Sequence, residues 1–441
     1  MKSNKTLPKR KRIFENFLVF GVEKNDFLNE IEMFEFILTP KVLFSFPEAK
    51  MDQNIFNYFY SCCFPKGVKI RRMKICCQEE YDEILEKNFF DFPLTTFAFV
   101  KSSNDKFRDK FLYCMKFLDL YVFKAEKNFN VFIYEKIYVF VSNEILFHFL
   151  ENLSLWFLKV KKINYLNSIA SYENLEKNMS DFFFVNDEKN NKEIKEILNY
   201  CVYNSFSKSV SFLTEKIFVP KSDENFLSWI FSKIIWFFDA EVFFGILVRV
   251  LLEQKVVFCG NDVELVSFSS LMFAHAISPF KWEFSLVPNL PLQHVDVLQS
   301  PSPFIAGLVL EKPQLKAIEG VVDKSSTNVV FVDKKKTFFV NKVGKLKETL
   351  FFLRAMVEKT FWEFEDIDYR NESKKYVKNK CEMFVNKIEE SIYQSIINKL
   401  KPLDNGDIKE EIKKFVLNQN DAKFFAEFVD TVMFNNFINN N

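Results

Sequence analysis

The sequence predicts a mixed α/β chain made of three successive parts. In residues 13–123, short apolar runs alternate with loops, and the residues within the runs follow the two-residue period that is typical of strands. In the middle, five of the 13 prolines fall between Pro279 and Pro303, and each restricts its own φ angle and the residue before it. Beyond residue 343, apolar residues recur every three to four positions, as on one face of a helix.

The upstream part is predicted to form an antiparallel sheet. Its strand candidates are rich in β-favouring residues and lie at 17–21, 41–47, 97–100 and 111–114. Residues 55–63 fit either a helix or a strand, because their aromatic residues also recur at helical spacing. Residues 1–12 are expected to be a disordered basic tail, and residues 124–136 a connection.

The middle part, residues 124–343, is predicted to combine buried helices with strands. Helices are expected at 145–160 and, as a pair interrupted by Asp239, at 226–252; strands are expected at 255–259, 304–309 and 329–332. The uncharged stretch 265–280 is too short to span a membrane and is predicted to be a buried helix, in which His275 is a satisfied core or interface histidine. Residues 173–199 are polar enough to form a solvated loop.

The downstream part, residues 344–441, is predicted to be helical. Three apolar faces follow one another along it, with the charged stretch 363–380 looping between the first two.

Composition and motifs argue against several classes of function. The 60 basic and 59 acidic residues leave a net charge of +1, which disfavours a nucleic-acid partner. No two of the eight glycines lie closer than thirteen residues, so no phosphate-binding loop or dinucleotide fingerprint is present. The eight cysteines and three histidines lack metal-binding spacing. We therefore expect reduced thiols, no metal, no cofactor and no covalent chemistry.

Motifs in all three parts follow one another in an order that resembles a known family. The most specific is the run 251–258. It is followed by Pro288, Pro291, Pro301 and Pro303, which we call the proline ladder, and then by a strand that ends in an aspartate. The motif residues are Phe64, Pro65, Gly67, Leu252, Trp282, Pro288, Pro291, Pro301, Pro303, Gly307 and Asp333. This order resembles the DENN-domain family of Rab guanine-nucleotide exchange factors. Cys259 departs from it, standing where a serine is common. The motif residues are expected to maintain the fold, with Trp282 buried.

The resemblance implies an architecture and a function. It implies a longin-like upstream lobe (13–123), an α/β central lobe (124–343) and a helical downstream lobe (344–441). The implied partner is a Rab GTPase, whose switch regions bind between two lobes so that GDP is released. The alternatives are a GTPase-activating subunit of the same fold and a non-catalytic trafficking scaffold. The implied location is cytoplasmic with recruitment to endomembranes, where the cations at 9–12 would assist transient membrane contact.

Polar residues beside the motifs are the candidates for binding the partner. They are Lys66, Arg71, Arg72, Glu253 and Gln254. Lys66 lies in a turn whose flanking residues restrict the backbone. Arg71 and Arg72 are either arginine-finger candidates for the activating alternative or solvated charges at a strand end. Glu253 and Gln254 are either partner contacts or residues that cap the end of a helix or form a salt bridge.

Overall fold

The computed structural model confirms the mixed α/β class. The described residues are 13–23, 26–27, 33–47, 53–87, 94–101, 110–125, 128–143, 145–169, 182–184, 198, 209–212, 215–218, 226–310, 320–323, 325–341, 350–365, 374–398 and 421–440. The predicted basic tail lies outside these residues, as does all of the predicted loop 173–199 except 182–184 and 198.

The elements follow one another in this order. The strands are β1 (Asn16–Gly21), β2 (Glu35–Leu38), β3 (Lys41–Phe46), β4 (Val68–Ile75), β5 (Thr95–Lys101), β6 (Lys110–Ala125), β7 (Asn128–Ser142), β8 (Phe182–Phe184), β9 (Ser209–Phe212), β10 (Glu215–Phe218), β11 (Lys255–Gly260), β12 (Ser285–Val287), β13 (Phe304–Val309), β14 (Thr327–Phe331) and β15 (Phe338–Asn341). The helices are α1 (Gln53–Cys63), α2 (Gln78–Leu85), α3 (Phe147–Ile169), α4 (Phe226–Ile234), α5 (Ala240–Leu251), α6 (Val263–His275), α7 (Phe351–Glu365), α8 (Lys374–Ile392), α9 (Ala422–Phe428) and α10 (Val432–Asn440). Short 3₁₀ segments occupy Ile235–Phe237 and Leu292–Gln299, and a π-helical turn occupies Tyr393–Ile397.

The chain divides into two compact units. One comprises Met1–Phe97 and Lys101–Glu224, and the other comprises Ala98–Val100 and Asn225–Asn441. The three lobes inferred from the sequence stay a prediction. Their boundary at residues 123 and 124 falls inside β6.

The first unit is built on an eight-stranded sheet. The longest strands, β6 and β7, form an antiparallel hairpin whose pairing runs from Phe111 opposite Ser142 to Ala125 opposite Asn128. The other side of β7 pairs with β4 at one end and with β1 at the other; β2 then pairs with β4, and β3 with β1. Most of the hairpin is buried on both faces, which explains its nearly continuous apolar sequence.

The prediction of a connection at residues 124–136 is wrong, because β6 and β7 occupy nearly all of that segment. Four charged residues lie along the hairpin, and they are paired in the structure. Nζ of Lys116 lies 3.0 Å from Oε2 of Glu135, and Nζ of Lys136 lies 2.8 Å from Oδ2 of Asp119. Ion pairing therefore lets charged residues occupy strand positions that their polarity argues against.

The second unit is built on a five-stranded sheet in the order β12-β13-β11-β14-β15. The first four strands are parallel and β15 is antiparallel to β14. Helix α6 covers one face, where the rings of Phe258 and Phe273 stack with their centroids 5.5 Å apart. The 3₁₀ segment Leu292–Gln299 covers the other face through Leu298. Both faces of the parallel strands are thus buried, as parallel strands require.

The predicted helices of this unit are confirmed, including their boundary at Asp239. Oδ1 of Asp239 accepts a hydrogen bond from the amide of Val242 at 2.7 Å and caps α5. Helix α6 is buried, as predicted for residues 265–280, although it ends at His275. Aromatic contacts then link α4, α5, α7 and α8, with the rings of Phe231, Phe243 and Phe361 each within 6 Å of the Phe384 ring.

Two predictions about single side chains are wrong. Trp282 is only half-buried, because residues 281–285 run along the surface and its indole Nε1 donates to the carbonyl oxygen of Ser285 at 3.3 Å. The cost of removing a buried aromatic side chain therefore does not apply there. The His275 ring packs against the Phe226 ring, but its Nε2 atom is buried and has no hydrogen-bond partner among the described residues. Burial lowers the pKa of His275 to about 4 and keeps the ring neutral.

Candidate functional site

The first candidate is an open edge of the sheet in the first unit. We call residues 33–38 and 64–74 the β2–β4 edge surface. Strand β2 ends the sheet order, and β4 is the strand that pairs with it among the described residues. The structure brings the predicted partner residues Lys66, Arg71 and Arg72 together on this surface.

A tight turn places Lys66 at the corner of the surface. The amide of Gly67 donates to the carbonyl oxygen of Phe64 at 3.0 Å, which closes the turn over buried Phe64 and leaves Pro65 and Lys66 exposed. Gly67 has a φ of +80°, and a Cβ atom there would lie 2.6 Å from Cγ2 of Ile37. Glycine is therefore required both for the conformation and for the close packing against β2.

The two arginines of β4 point to opposite faces of the sheet. Arg71 is exposed and lies opposite Glu35, whereas Arg72 is half-buried and its amide donates to the carbonyl oxygen of Phe34 at 2.8 Å. Adjacent residues of a strand alternate between faces, so one ligand atom cannot be held by both guanidinium groups from a single face. The pair therefore does not form a single cationic cluster.

Large apolar side chains lie exposed beside these cations. Met33 is 50% exposed, Phe34 64% and Ile37 62%. Sequence analysis missed these residues because β2 was not predicted as a strand. The available signal was the alternation of apolar residues on either side of Glu35. That signal is short, because the strand has only four residues. Exposed apolar residues grouped with cations are typical of interaction surfaces.

The second candidate lies in the second unit, where α5 ends. Glu253 adopts a left-handed φ of 52°, and its carboxylate accepts the amides of Val432 at 3.0 Å and Met433 at 2.7 Å. These amides begin α10, where N–H groups have no partner inside the helix. Burial and the nearby charge of Glu283 raise the pKa of Glu253, while the two N–H donors act in the opposite direction.

Gln254 belongs to a polar network beneath that corner. Its Oε1 accepts from Nδ2 of Asn328 at 3.2 Å, and Oδ1 of Asn328 accepts from Nε of Arg249 at 2.6 Å. Arg249 is buried, donates to the carbonyl oxygen of Gly245 and stacks over the Phe339 ring; burial lowers its pKa to about 10. Sequence analysis missed Arg249 and Asn328. A single arginine inside the apolar helix at 240–251 was the available signal.

Removing the Glu253 carboxylate should weaken the attachment of α10. We expect Glu253→Ala to lower the free energy of unfolding by about 1 kcal/mol, because two N–H groups at a helix start lose their acceptor. Glu253→Gln should retain most of the stability, and exposed Glu283 offers a matched control, Glu283→Ala. Urea denaturation measures the differences. Equal stability of Glu253→Ala and Glu283→Ala would contradict the capping role and favour a contact with a partner.

The motif residues lie at mixed depths. Phe64, Pro288, Pro291 and Gly307 are buried, whereas Pro65 and Pro301 are exposed; Leu252, Trp282, Pro303 and Asp333 are intermediate. Asp333 accepts the amide of Lys335 at 2.9 Å within a turn. A role in maintaining the fold is supported most directly for the buried residues.

Metal and membrane features were searched over the described part of the chain. It contains no group of three or more His, Cys, Asp and Glu side chains placed to hold a metal ion. None of its helices is long and apolar enough to cross a membrane.

A model of a known family matches the middle of the chain. The family model of the DENN (AEX-3) domain matches residues 201–337, which contain β9 to β14, the run 251–258 and the proline ladder. This match and the DENN-domain relatives described below support membership of the DENN-domain family. The resemblance inferred from the order of motifs is thereby confirmed.

Several DENN-domain proteins are similar to parts of the chain. Human DENN domain-containing protein 2B is 23% identical over 203 residues, which cover 44% of this chain and 17% of that protein. Mouse DENN domain-containing protein 2D is 24% identical over 149 residues, 31% of each chain. Human DENN domain-containing protein 2A is 36% identical over 59 residues, or 13% of this chain and 6% of that protein. The chain thus matches less than a third of each relative's length.

Proposed function

We propose that this DENN-domain protein is a guanine-nucleotide exchange factor for a Rab-family GTPase. The observation that carries the proposal is the match of the DENN domain to residues 201–337, since proteins with this domain are generally Rab exchange factors. The proposal makes the protein a regulator that binds a GTPase and carries out no covalent chemistry of its own.

To release the nucleotide, an exchange factor must supply binding free energy. A GTPase that holds its nucleotide at nanomolar to picomolar affinity releases it at a cost of roughly 12–16 kcal/mol. By linkage, an exchange factor that prefers the nucleotide-poor state lowers the nucleotide affinity by the same factor. Accelerating release about 10⁴-fold requires roughly 5.5 kcal/mol of differential stabilisation. Polar and aromatic contacts over a standard interface of roughly 1,600 Å² are sufficient for this.

The β2–β4 edge surface is the proposed contact of the first unit with the GTPase. Support comes from the exposed cations Lys66 and Arg71 and from exposed Phe34 and Ile37, which together combine charge with an apolar anchor. In the second unit, Glu253 and Gln254 are half-buried, whereas Lys66 and Arg71 are exposed. We therefore assign the partner contact to Lys66 and Arg71 before the Glu253 corner.

Reversing the charge of Lys66 should weaken association with the Rab. We expect Lys66→Glu to reduce the second-order rate constant of GDP release about tenfold, because exposed interface charges act mainly on the association rate. The melting temperature should not change, since Lys66 is exposed at a turn tip that Pro65 and Gly67 restrict. Release of a fluorescent GDP analogue, followed against exchange-factor concentration for each purified Rab, measures the effect.

Lys87, which is exposed after α2, provides a charge-matched control. Lys87→Glu should leave exchange at the wild-type rate. If the folded, monodisperse wild-type protein accelerated GDP release from no Rab, the proposed function would be wrong. If wild type were active and Lys66→Glu equally active, only the assignment of the contact would fail.

The activating alternative is tested in the same preparation. It requires an exposed arginine that reaches the GTPase, and Arg71 meets the requirement of exposure better than Arg72. Stimulated GTP hydrolysis that is lost in Arg71→Ala would favour a GTPase-activating protein over an exchange factor. Membrane contact and endomembrane recruitment stay predictions, because the cations at 9–12 lie outside the described residues.

A further inference from the structure

The backbone of β2 presents hydrogen-bonding groups at the open edge of the sheet. In an antiparallel pair, residues alternate between those that exchange hydrogen bonds with the neighbouring strand and those whose N–H and C=O point away. The amide of Arg72 donates to the carbonyl oxygen of Phe34. The backbone N–H and C=O groups of Phe34, Phe36 and Leu38 therefore face β4. The N–H and C=O groups of Glu35 and Ile37 therefore face outward.

Within the part of the chain that the structure describes, this edge lacks the features that usually protect sheet edges. Natural edge strands carry lysine, proline or a bulge, or are covered, because an open edge can pair with another chain. Strand β2 contains no lysine or proline and pairs with β4 without a shift of register. Ile37 and Phe34 are instead large, apolar and more than half exposed. The edge is thus suited to accept an additional strand.

The charges around β2 select the occupant. Residues 64–75 carry five cations, at positions 66, 69, 71, 72 and 74, and no acid, whereas residues 33–40 carry only Glu35. Glu35 is already paired with Lys69, with Nζ and Oε2 3.1 Å apart. A second copy of this chain would bring a second set of the same cations to the edge, which like-charge repulsion disfavours. An extended segment with acidic side chains complements the surface.

We propose that β2 binds an extended segment of a partner protein, alternately acidic and apolar, as an added strand. Its backbone would bond with the outward groups of Glu35 and Ile37. Because Phe34 and Ile37 lie on opposite faces of the strand, its apolar side chains would pack beside Phe34 on one face, and its acidic side chains would lie on the face of Ile37 and Arg71. Acidic side chains would reach the cations that surround the edge, as in strand-addition complexes where the main chain supplies affinity and the side chains supply specificity. The segment shares Phe34 and Ile37 with the proposed Rab contact, so the two would compete for this surface. Binding of the segment is measured without a Rab, so either assignment can fail without the other.

Amide hydrogen exchange of the wild-type protein tests the geometry directly. The probe is a short peptide of alternating glutamate and valine, and its control has lysine in place of glutamate. In the free protein, the amides of Glu35 and Ile37 should exchange rapidly and those of Phe36 and Leu38 slowly. The glutamate peptide should slow exchange at Glu35 and Ile37 by about tenfold when nine-tenths of the protein is bound. Unchanged exchange at both residues would overturn the proposal.

Variants of Ile37 separate backbone from side-chain binding. A proline is tolerated on an edge strand where the missing N–H faces outward. Ile37→Pro should therefore keep the melting temperature and weaken peptide binding at least about tenfold. Ile37→Thr keeps the amide and should weaken binding less. Three outcomes would each contradict the proposed occupant. They are equal binding of both peptides, undiminished binding to folded Ile37→Pro, and a dimer in sedimentation that excludes the peptide.

Discussion

Replacing Asp119 with alanine should lower the free energy of unfolding by about 3–5 kcal/mol, because the buried ammonium groups of Lys136 and Lys161 lose the carboxylate they share. Oδ2 of Asp119 lies 2.8 Å from Nζ of Lys136 and 2.6 Å from Nζ of Lys161. All three side chains are 3% exposed or less. Water therefore cannot take the place of the carboxylate, and urea denaturation should show the full loss.

The Glu135 carboxylate provides a matched control on the same hairpin. It pairs with Lys116 at 3.0 Å, but its side chain is 31% exposed, so Glu135→Ala should cost less than about 1 kcal/mol. Similar losses of stability in Asp119→Ala and Glu135→Ala would show that burial of Asp119 and its two lysines does not determine how much their ion pairs stabilise the fold. Asp119→Asn, which keeps the shape, should fall between wild type and Asp119→Ala.

The contribution of the Asp119 carboxyl to the free energy of unfolding depends on pH. Burial by itself raises its pKa, but the two ammonium groups more than offset burial, and the pKa lies below the ordinary value. The folded state therefore holds the proton less tightly than the unfolded chain. Stability from this group is complete above about pH 4 and is lost as the pH falls through the folded pKa.

Replacing Gly307 with alanine should destabilise the second unit by about 3 kcal/mol or more, because there is no space for a methyl group. A Cβ atom at Gly307 would lie 2.1 Å from the carbonyl oxygen of Pro288 and 2.8 Å from Cγ1 of Val266. The carbonyl oxygen of Gly307 accepts the amide of Leu290 at 2.7 Å, so the backbone at 288–290 is held against β13. Thermal and urea denaturation measure the loss.

Gly320 is the control for this substitution. No atom of the described residues lies within 4 Å of a Cβ built there, so Gly320→Ala should be neutral or stabilise by up to about 1 kcal/mol. If Gly307→Ala were as stable as Gly320→Ala, the close approach of residue 288 to β13 would not be required for the fold. The proline ladder and the glycine would then have separate roles.

Local sequence patterns determined the type of many elements. An aspartate before an apolar helical run predicted the boundary at 239, and the structure has its side chain capping α5. The uncharged run at 265–280 predicted a buried helix, and the order of motifs predicted the DENN family. These features succeed because a helix cap, a period and a motif are each recorded within a few neighbouring residues.

Tertiary structure alone decided how distant residues are used. Residues 124–136 are predicted from the sequence to be a connection, whereas pairing between strands and with α3 places the charges at 116, 119, 135 and 136 together. Glu253 caps a helix 179 residues away, and Trp282 is half-exposed despite its size. The open edge at β2 follows from strand order, which no local pattern contains. Sequence periodicity records which side of an element is buried, whereas the partner that buries it is set by the free energy of packing the whole chain.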